Sequence, residues 1–410
     1  MILKARKMTN FDVGIIGAGV AGAFAALKIS KDYKGTKTIL FDLGRPPMKR
    51  RRQLEGWLGC LPNSDGKFYQ TDGNKVSALV GNKKFKSAKT FLNKVLADIN
   101  DFNIIQDKGP SISASKRIKK AGFDLILNDY IQLYPKDIHT LSKLMAEFVE
   151  NNIDMSFSFD NEVHRIYKQK NMFVIVTEEQ EYRCKKIIFA VGRSGWRWAH
   201  DVYSNFGIID NNDFARFGIR VEVNASHLKD FNKSNCTILK GEELEIGPLS
   251  WNGTVIPEDH VDLAISAFRS NENRWKTDKV SFQLIKNINC PENGFQQTDR
   301  VGKLTFVLSN DRIIKEKIST ILTDKSKISI IPEYDWLKES LLELEAIIPD
   351  ISAKAYFHVP TITPMAPKVL LGDNLECDIE GMYIAGESAG ITGIQAAALT
   401  GIICADSICK

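Results

Sequence analysis

The sequence predicts an α/β fold, a Rossmann-like unit that is discontinuous along the chain and carries a small β-meander, with an inserted mixed α+β unit between its parts. Three stretches predict it. Phe11-Asp12-Val13-Gly14-Ile15-Ile16 is an apolar run that enters Gly17-Ala18-Gly19-Val20-Ala21-Gly22 and then an Ala-rich helical pattern, Ala21 to Ile29. Lys186-Ile187-Ile188-Phe189-Ala190-Val191-Gly192 is a second buried strand pattern ending in glycine. Near the C-terminus, Gly381-Met382-Tyr383-Ile384-Ala385-Gly386-Glu387 ends in a glycine and an acid, ahead of an Ala-rich helix from Ile394 to Ile408. Between the second and third stretches the pattern is strand-dominated, which places the insertion there.

The first stretch carries the most chemistry. A helix N-terminus presents unpaired N–H groups and a partial positive charge, which suit a pyrophosphate. Gly17 and Gly19 allow a sharp turn and close approach of the backbone, while Gly22 lets helix and strand pack tightly. The next apolar strand, Thr38-Ile39-Leu40-Phe41, ends at Asp42, which stands 20 residues beyond Gly22, where a carboxylate binds ribose hydroxyls. A glycine turn also occurs without any ligand. Here strand, turn, helix and acid agree, and together they predict a bound dinucleotide.

At 410 residues, 43% of them hydrophobic, the chain has the length for two domains with their own cores. We place the first part of the nucleotide-binding domain at 1–205, the inserted domain at 206–364 and the returning part at 365–410. The net charge of +5, from 55 basic and 50 acidic residues, is too small to call for nucleic acid or a membrane by itself. Seven scattered cysteines (Cys60, Cys184, Cys236, Cys290, Cys377, Cys404, Cys409) form no CxxC pair, which argues against a disulfide framework, a zinc site or a dithiol centre. Met1 to Asn10 carries Lys4, Arg6 and Lys7 but no apolar core, and no apolar run approaches the ~18 residues of a membrane span. A cytoplasmic protein without membrane association is the expectation.

Along the chain, Leu43-Gly44-Arg45-Pro46-Pro47-Met48-Lys49-Arg50-Arg51-Arg52 is a proline-stiffened basic loop. It reads either as a solvated loop near cofactor phosphates or adenosine, or as a contact for NADPH, a phosphorylated substrate or nucleic acid. Gly56 to Tyr69 is rich in turn formers yet holds Trp57, Phe68 and Tyr69, so it is expected to be ordered by packing. Residues 86 to 99 and 138 to 151 show helical spacing, the second with Ile138, Leu141, Leu144, Met145, Phe148 and Val149 on one face. Met155 to Phe159 reads as a short strand, and Val163 to Ile166 with Phe173 to Val176 as the meander. Gly195 to Phe206 reads as a helix bearing Trp196 and Trp198. In the insertion, strands are expected at 217–223, 254–256, 261–268 and 280–285, and helices near 310–322 and 334–347.

The turn from Gly17 to Gly22 with Asp42, the Ala190-Val191-Gly192 strand end and the Ala385-Gly386-Glu387 terminus together resemble the three cofactor motifs of FAD-binding oxidoreductases of the glutathione-reductase type. Within that superfamily the chain resembles the FAD-dependent dehydrogenases related to the aminoacetone oxidase family. That likeness lies in Asn63-Ser64-Asp65-Gly66-Lys67, in Phe217-Gly218-Ile219-Arg220-Val221-Glu222 and in Gly386-Glu387-Ser388-Ala389-Gly390-Ile391-Thr392. It covers most of the chain and is loosest between 225 and 360.

The resemblance implies that Gly17, Ala18, Gly19, Val20, Ala21 and Gly22 hold the FAD pyrophosphate and that Asp42 holds the adenosine ribose. It places Leu43, Arg45 and Arg52 beside the adenosine end, and the Val163 backbone on the adenine. Ala190 and Gly192 approach the cofactor, and Gly386 with Glu387 meet the ribityl chain or pyrophosphate. Gly393, Ile394 and Gln395 lie near the pyrimidine edge of the flavin, with Ser64, Asp65, Gly66 and Lys67 on the isoalloxazine side. Glu387 stands where much of the superfamily has aspartate, and only Cys60 remains of the cysteine-rich segment common upstream of the Ser64–Lys67 loop. No second GxGxxG follows a strand, so NAD(P)H is expected at most as a transient electron donor.

In a flavoenzyme the ring transfers the electrons and the protein supplies position and electrostatics. Asp65, Lys67 and Arg193 are the candidate catalytic residues, with a purely FAD-contacting or structural role as the alternative for each; Cys60, His200 and His358 are weaker candidates. No metal is expected. The leading function is an FAD-dependent dehydrogenase, oxidase or reductase of a small molecule bound between the two domains. Two alternatives stand beside it: flavin-dependent modification of a nucleic acid or nucleotide, suggested by Lys49 to Arg52 with Lys83, Lys84 and Lys86, and a flavin-binding sensor or scaffold without turnover.

Overall fold

A computed structural model of the chain describes residues 9–210, 214–231, 234–270, 276–290, 294–310, 312–363 and 367–410. The basic N-terminal residues Lys4, Arg6 and Lys7, and the domain boundary at 364/365, lie outside them.

The apolar run Thr9–Ile16 forms the central strand of a seven-stranded sheet. Thr38–Asp42 lies parallel on one side of it and Glu181–Phe189 parallel on the other. Met155–Phe159 extends the first side. The chain returns at its C-terminal end as Met382–Ile384, parallel to Glu181–Phe189. Val163–Gln169 and Met172–Thr177 continue antiparallel from Glu181–Phe189, which makes the meander. Parallel strands buried on both faces need continuous apolar sequence, and Ile15, Leu40, Ile187, Ile188 and Phe189 are all buried.

Helix Val20–Asp32 covers one face together with the last helix, Ile394–Cys409. The two approach so closely that a Cβ on Gly401 would come within 2.0 Å of the Ala21 carbonyl oxygen. This close contact between the first and last helices closes the discontinuous unit. Helix Pro135–Glu150 joins the same core through Ile138, Leu141, Met145 and Val149. Leu144 and Phe148 do not belong to that face: both are exposed, and the Lys31 ammonium lies 5.1 Å from the Phe148 ring centre. The apolar stripe read from spacing was wider than the strip of helix that the core can reach.

The second sheet is antiparallel, ordered Ile314–Lys317, Tyr356–Ile362, Phe214–Asn224, Lys279–Asn289, Leu244–Ile246, Ile238–Lys240 and Asp124–Ile126, with Ser250–Trp251 also on Lys279–Asn289. Along its long strand, Phe217, Ile219, Val221 and Val223 face one core while Arg220 and Glu222 face the opposite side. Asp124–Ile126 comes from the span read as the first domain, yet it pairs with Ile238–Lys240 of this sheet.

The expected helix near 310–322 is corrected. The helix is Gly294–Leu308, and Ile314–Lys317 is an edge strand on Tyr356–Ile362, followed by the short helix Ile318–Leu322. Gly294 and Gly302, both poor helix formers, weaken the helical pattern of the first segment, while cross-strand pairing decides the second. Glu181–Phe189 ends at Phe189, three residues before Gly192, which takes a positive φ of 61°. Outside both sheets, the hairpin Thr254–Asp259/Ala264–Arg269 and the strand pair Lys67–Tyr69/Tyr130–Gln132 stand at the seam between the two units.

Candidate functional site

The glycine turn is built as an anion cradle. Gly17 has φ 101°, which favours glycine, and a Cβ there would stand 2.4 Å from the Ala190 carbonyl oxygen. Gly22 is equally constrained, since its Cβ would meet the Gly17 carbonyl oxygen at 1.8 Å. Gly19 differs from both: no atom lies within 4 Å of its Cβ position, and its φ of −61° is ordinary. Gly19 caps helix Val20–Asp32, and no side chain caps that N-terminus. An open cradle over uncapped N–H groups fits a pyrophosphate. Asp42 Oδ2 accepts from the Ala18 N–H at 2.6 Å, and Oδ1 accepts from Gly44 and Gly56 at 2.7 Å each. Burial pushes this carboxyl upward, against the pull of the three backbone donors.

In the basic loop the cations differ. The Arg50 guanidinium donates to the carbonyls of Trp57 at 2.7 Å, Gln53 at 2.8 Å and Gly59 at 2.6 Å, so it folds the loop and is not a solvated phosphate contact. Arg52 is exposed and pairs with Glu55 at 2.9 Å, Arg45 stands 3.9 Å from Asp160, and Leu43 is exposed. Val163 is buried in the meander core.

At the ends of two parallel strands a buried charge network crosses the seam. Arg193 Nε donates to Glu387 at 3.1 Å, and a terminal nitrogen of Arg193 donates to both oxygens of Glu258 at 3.3 Å. His260 lies 3.2 Å from Glu258 Oε1. Burial disfavours the Arg193 charge, yet Glu258 and Glu387 outweigh it and hold the guanidinium firmly protonated. Burial likewise opposes ionisation of Glu258, but Arg193 and His260 bring its carboxyl down to about 2. Behind the network, the Gly192 N–H donates to Ser388 Oγ at 3.1 Å and the Gly386 N–H to Thr400 Oγ1 at 2.9 Å. Cys60 lies against these charges, where burial pushes its thiol up to about 11, so it is a poor nucleophile.

A second constellation surrounds the loop Ser64–Lys67. Ser64 Oγ accepts from the Gly66 N–H at 3.0 Å, and Asp65 accepts from the Tyr69 hydroxyl at 2.5 Å and the Lys67 N–H at 3.2 Å. The buried Lys67 ammonium reaches Asn235 Oδ1 at 2.8 Å. Beside it, Gln70 donates to Gln395 Oε1 at 3.0 Å at the start of the last helix. Gln395 Nε2 and Asp72 Oδ2 are both buried without hydrogen-bond partners among the described residues. A Cβ on Gly393 would collide with the Asp72 carboxyl at 2.0 Å. Burial pushes that carboxyl up to about 7. An orphaned amide donor and an orphaned carboxyl at a helix N-terminus fit a planar ligand edge that both accepts and donates hydrogen bonds.

Arg193 and Glu387 are therefore joined directly, while Asp65 and Lys67 belong to the neighbouring cluster. His200 stacks on Phe295 with ring centres 4.1 Å apart, and His358 is buried 3.6 Å from Glu222. Glu258, His260 and Asp72 escaped the sequence reading. The run Pro257-Glu258-Asp259-His260, polar in the middle of an otherwise apolar hairpin, was the available signal for the first two. Among the described residues, no group of three His, Cys, Asp or Glu could hold a metal ion, and no helix is long and apolar enough to cross a membrane.

A family model described as glucose inhibited division protein A matches residues 12–246. No curated protein matches the chain. Among solved structures it is similar to glycine oxidase from Geobacillus kaustophilus, at 13% identity over 98% of this chain and 95% of that one, with a TM-score of 0.44. It is similar to p-nitrophenol 4-monooxygenase PnpA from Pseudomonas putida DLL-E4, at 10% identity over 97% and 77%, TM-score 0.40. It is also similar to the halogenase PltM, at 12% identity over 96% and 67%, TM-score 0.44. Likeness this distant carries nothing about the reaction.

Proposed function

This chain belongs to the glucose inhibited division protein A family, and on that premise we propose that it transfers hydride between FAD and a small molecule bound at the seam of its two units. It is a flavoprotein of the FAD-dependent oxidoreductase superfamily with a Rossmann-like nucleotide-binding fold. The observation that carries the reading is the uncapped helix N-terminus at Gly19, whose Cβ position is open to 4 Å while Gly17 and Gly22 beside it are closed.

When bound, the flavin supplies a two-electron acceptor and donor. The chain's own residues do the rest. Gly17 to Gly22 would seat the pyrophosphate, and Asp42 fixes the turn through three backbone donors while keeping one lone pair, on Oδ2, for a ribose hydroxyl. The Arg193–Glu387 pair would present fixed charge to the polyol chain of the cofactor. Gln395 and Asp72 offer a donor and a proton-bearing carboxyl to the pyrimidine edge. Asp65 and Lys67 flank the substrate side, where the Tyr69 hydroxyl, donating to Asp65 at 2.5 Å, fixes the orientation of that carboxylate. NAD(P)H would serve only as a transient donor. A nucleic-acid substrate has less support: in the Lys49–Arg52 cluster, Arg50 is directed inward and Arg52 is paired.

The test is an absorbance spectrum of the purified protein, followed by anaerobic addition of NADH and NADPH. A two-peaked flavin spectrum bleached by one nicotinamide supports a reductase or monooxygenase type of cycle. A flavin spectrum unchanged by both supports an oxidase or dehydrogenase reduced by its own substrate. Absence of flavin after incubation with FAD overturns the reading.

A further inference from the structure

A buried charge without a counter-ion is costly, and native proteins pair such groups. Several buried charges of this molecule follow that rule: Lys28 pairs with Asp32 and Asp406, Glu258 with Arg193, and Glu222 with Lys315, while the buried carboxylates Asp107 and Asp137 are held by neutral donors, Asp107 by the Gly109 and Asn235 N–H groups and the Thr237 hydroxyl and Asp137 by the Tyr134 N–H. Lys67 and Arg220 break it. They are 4% and 7% exposed, and among the described residues neither has a carboxylate within 4 Å. The partners of Lys67 are neutral groups: Asn235 at 2.8 Å, Ser250 Oγ at 3.5 Å, the Tyr130 ring at 5.3 Å and the Cys236 thiol, whose pKa burial pushes up. The Arg220 guanidinium, with five N–H donors, makes two long hydrogen bonds, to the Ser266 carbonyl and Ser281 Oγ at 3.4 Å each.

The two cations come from different units and converge. Lys67 begins the strand Lys67–Tyr69 of the nucleotide-binding unit, and Arg220 lies on Phe214–Asn224 in the inserted sheet. Their hydroxyl partners, Ser250 and Ser281, are directly opposite each other on neighbouring antiparallel strands. Such pairs hold their side chains about 5 Å apart on one face. Asp65, the carboxylate whose charge acts most on Arg220, is engaged by the Tyr69 hydroxyl and the Lys67 N–H. Burial also pulls the Arg220 guanidinium down to about 10, a cost that the more distant charges of Asp65 and Glu258 only partly offset.

We propose that Lys67 and Arg220 form a binding site for the carboxylate of the substrate, so that the molecule oxidised or reduced at the seam is a small organic acid. The proposal rests on the reading above that the substrate sits between the two units. A carboxylate placed there accepts from the planar Arg220 fork and from the Lys67 ammonium, and so supplies the charge that the protein leaves out. A phosphate oxygen of the cofactor has the same acceptor chemistry, and the experiment separates the two sources.

FAD-loaded protein is titrated with acetate and benzoate, and with acetamide and benzamide as neutral isosteres, following the visible flavin spectrum and the thermal midpoint together. The expected result is that at least one carboxylate perturbs the spectrum and raises the midpoint while its amide does neither. Arg220→Met and Lys67→Met should each weaken carboxylate binding by about tenfold or more, with Arg220→Lys recovering part of the loss. Equal response to acid and amide, no response to either acid, or unchanged carboxylate affinity in both methionine variants overturns the proposal. So does a loss of FAD affinity in the variants with carboxylate binding intact, which assigns the cations to the cofactor. The wild-type comparison needs no variant to fold. A protein that takes up no flavin defeats the functional reading instead, and the thermal midpoint of that apoprotein still reports carboxylate against amide.

Discussion

The backbone N–H of Ala18 donates to Asp42 Oδ2 at 2.6 Å, so the acid ending the second strand holds the glycine turn that follows the first. Its other oxygen holds Gly44 and Gly56, and one side chain thereby joins the turn to the basic loop. Asp42→Ala removes the acceptor of three backbone donors. We expect about 2 kcal/mol or more of destabilisation in urea unfolding, together with a weaker FAD affinity by fluorescence titration. Unchanged values for both would show that the turn stands without this carboxylate.

The three glycines of the turn should separate folding from cofactor binding. Gly22→Ala drives a Cβ into the Gly17 carbonyl oxygen and should destabilise the apoprotein by several kcal/mol, about the cost of severe overpacking. Gly19→Ala meets no atom within 4 Å and has a compatible φ, so the apoprotein should keep its thermal midpoint while FAD affinity falls. If Gly19→Ala binds FAD as tightly as the parent, the pyrophosphate does not lie over that position.

Glu258→Gln leaves Arg193 paired only with Glu387. Breaking a buried pair on one side costs about 3–5 kcal/mol, and chemical unfolding of the variant should show a loss in that range. In the parent, the carboxyl is held at about 2, below its ordinary 4.5. The unfolded state therefore takes up the proton first. This contribution is present above pH 4.5 and disappears as the pH falls through that value toward about 2, and Glu258→Gln should flatten the acid limb of the stability curve.

Asp72 works in the opposite direction. Its carboxyl is raised from 3.8 to about 7, mainly by burial, so the unfolded state releases the proton first. Its contribution is complete below pH 3.8 and declines as the pH rises to about 7, with a slope of at most ~1.4 kcal/mol per pH unit. Asp72→Asn should remove this decline. Urea unfolding of the apoprotein at a series of pH values measures both curves, and parallel curves would mean that Asp72 ionises normally.

Residues 11–42 were legible because everything that shapes them is local. Strand, turn, helix and acid lie within one βαβ-like stretch, where periodicity and glycine spacing report the backbone directly. The returning strand Met382–Ile384 and its helix were legible for the same reason. The inserted sheet was read less well. Its pairing partners are far apart in sequence, as with Asp124–Ile126 on Ile238–Lys240, and glycines blurred the helix Gly294–Leu308.

The sequence by itself determined the nucleotide-binding fold and the glycine turn, because these follow from short-range steric and hydrogen-bonding rules. Only the tertiary structure decided which charges meet. Arg193 finds Glu258 and Glu387 across 65 and 194 residues, Lys67 finds Asn235 across 168, and Arg220 is left buried with no carboxylate within 4 Å among the described residues. Coulombic pairing and desolvation depend on distance in space and on exclusion of water, and neither quantity is written in the spacing of residues along a chain.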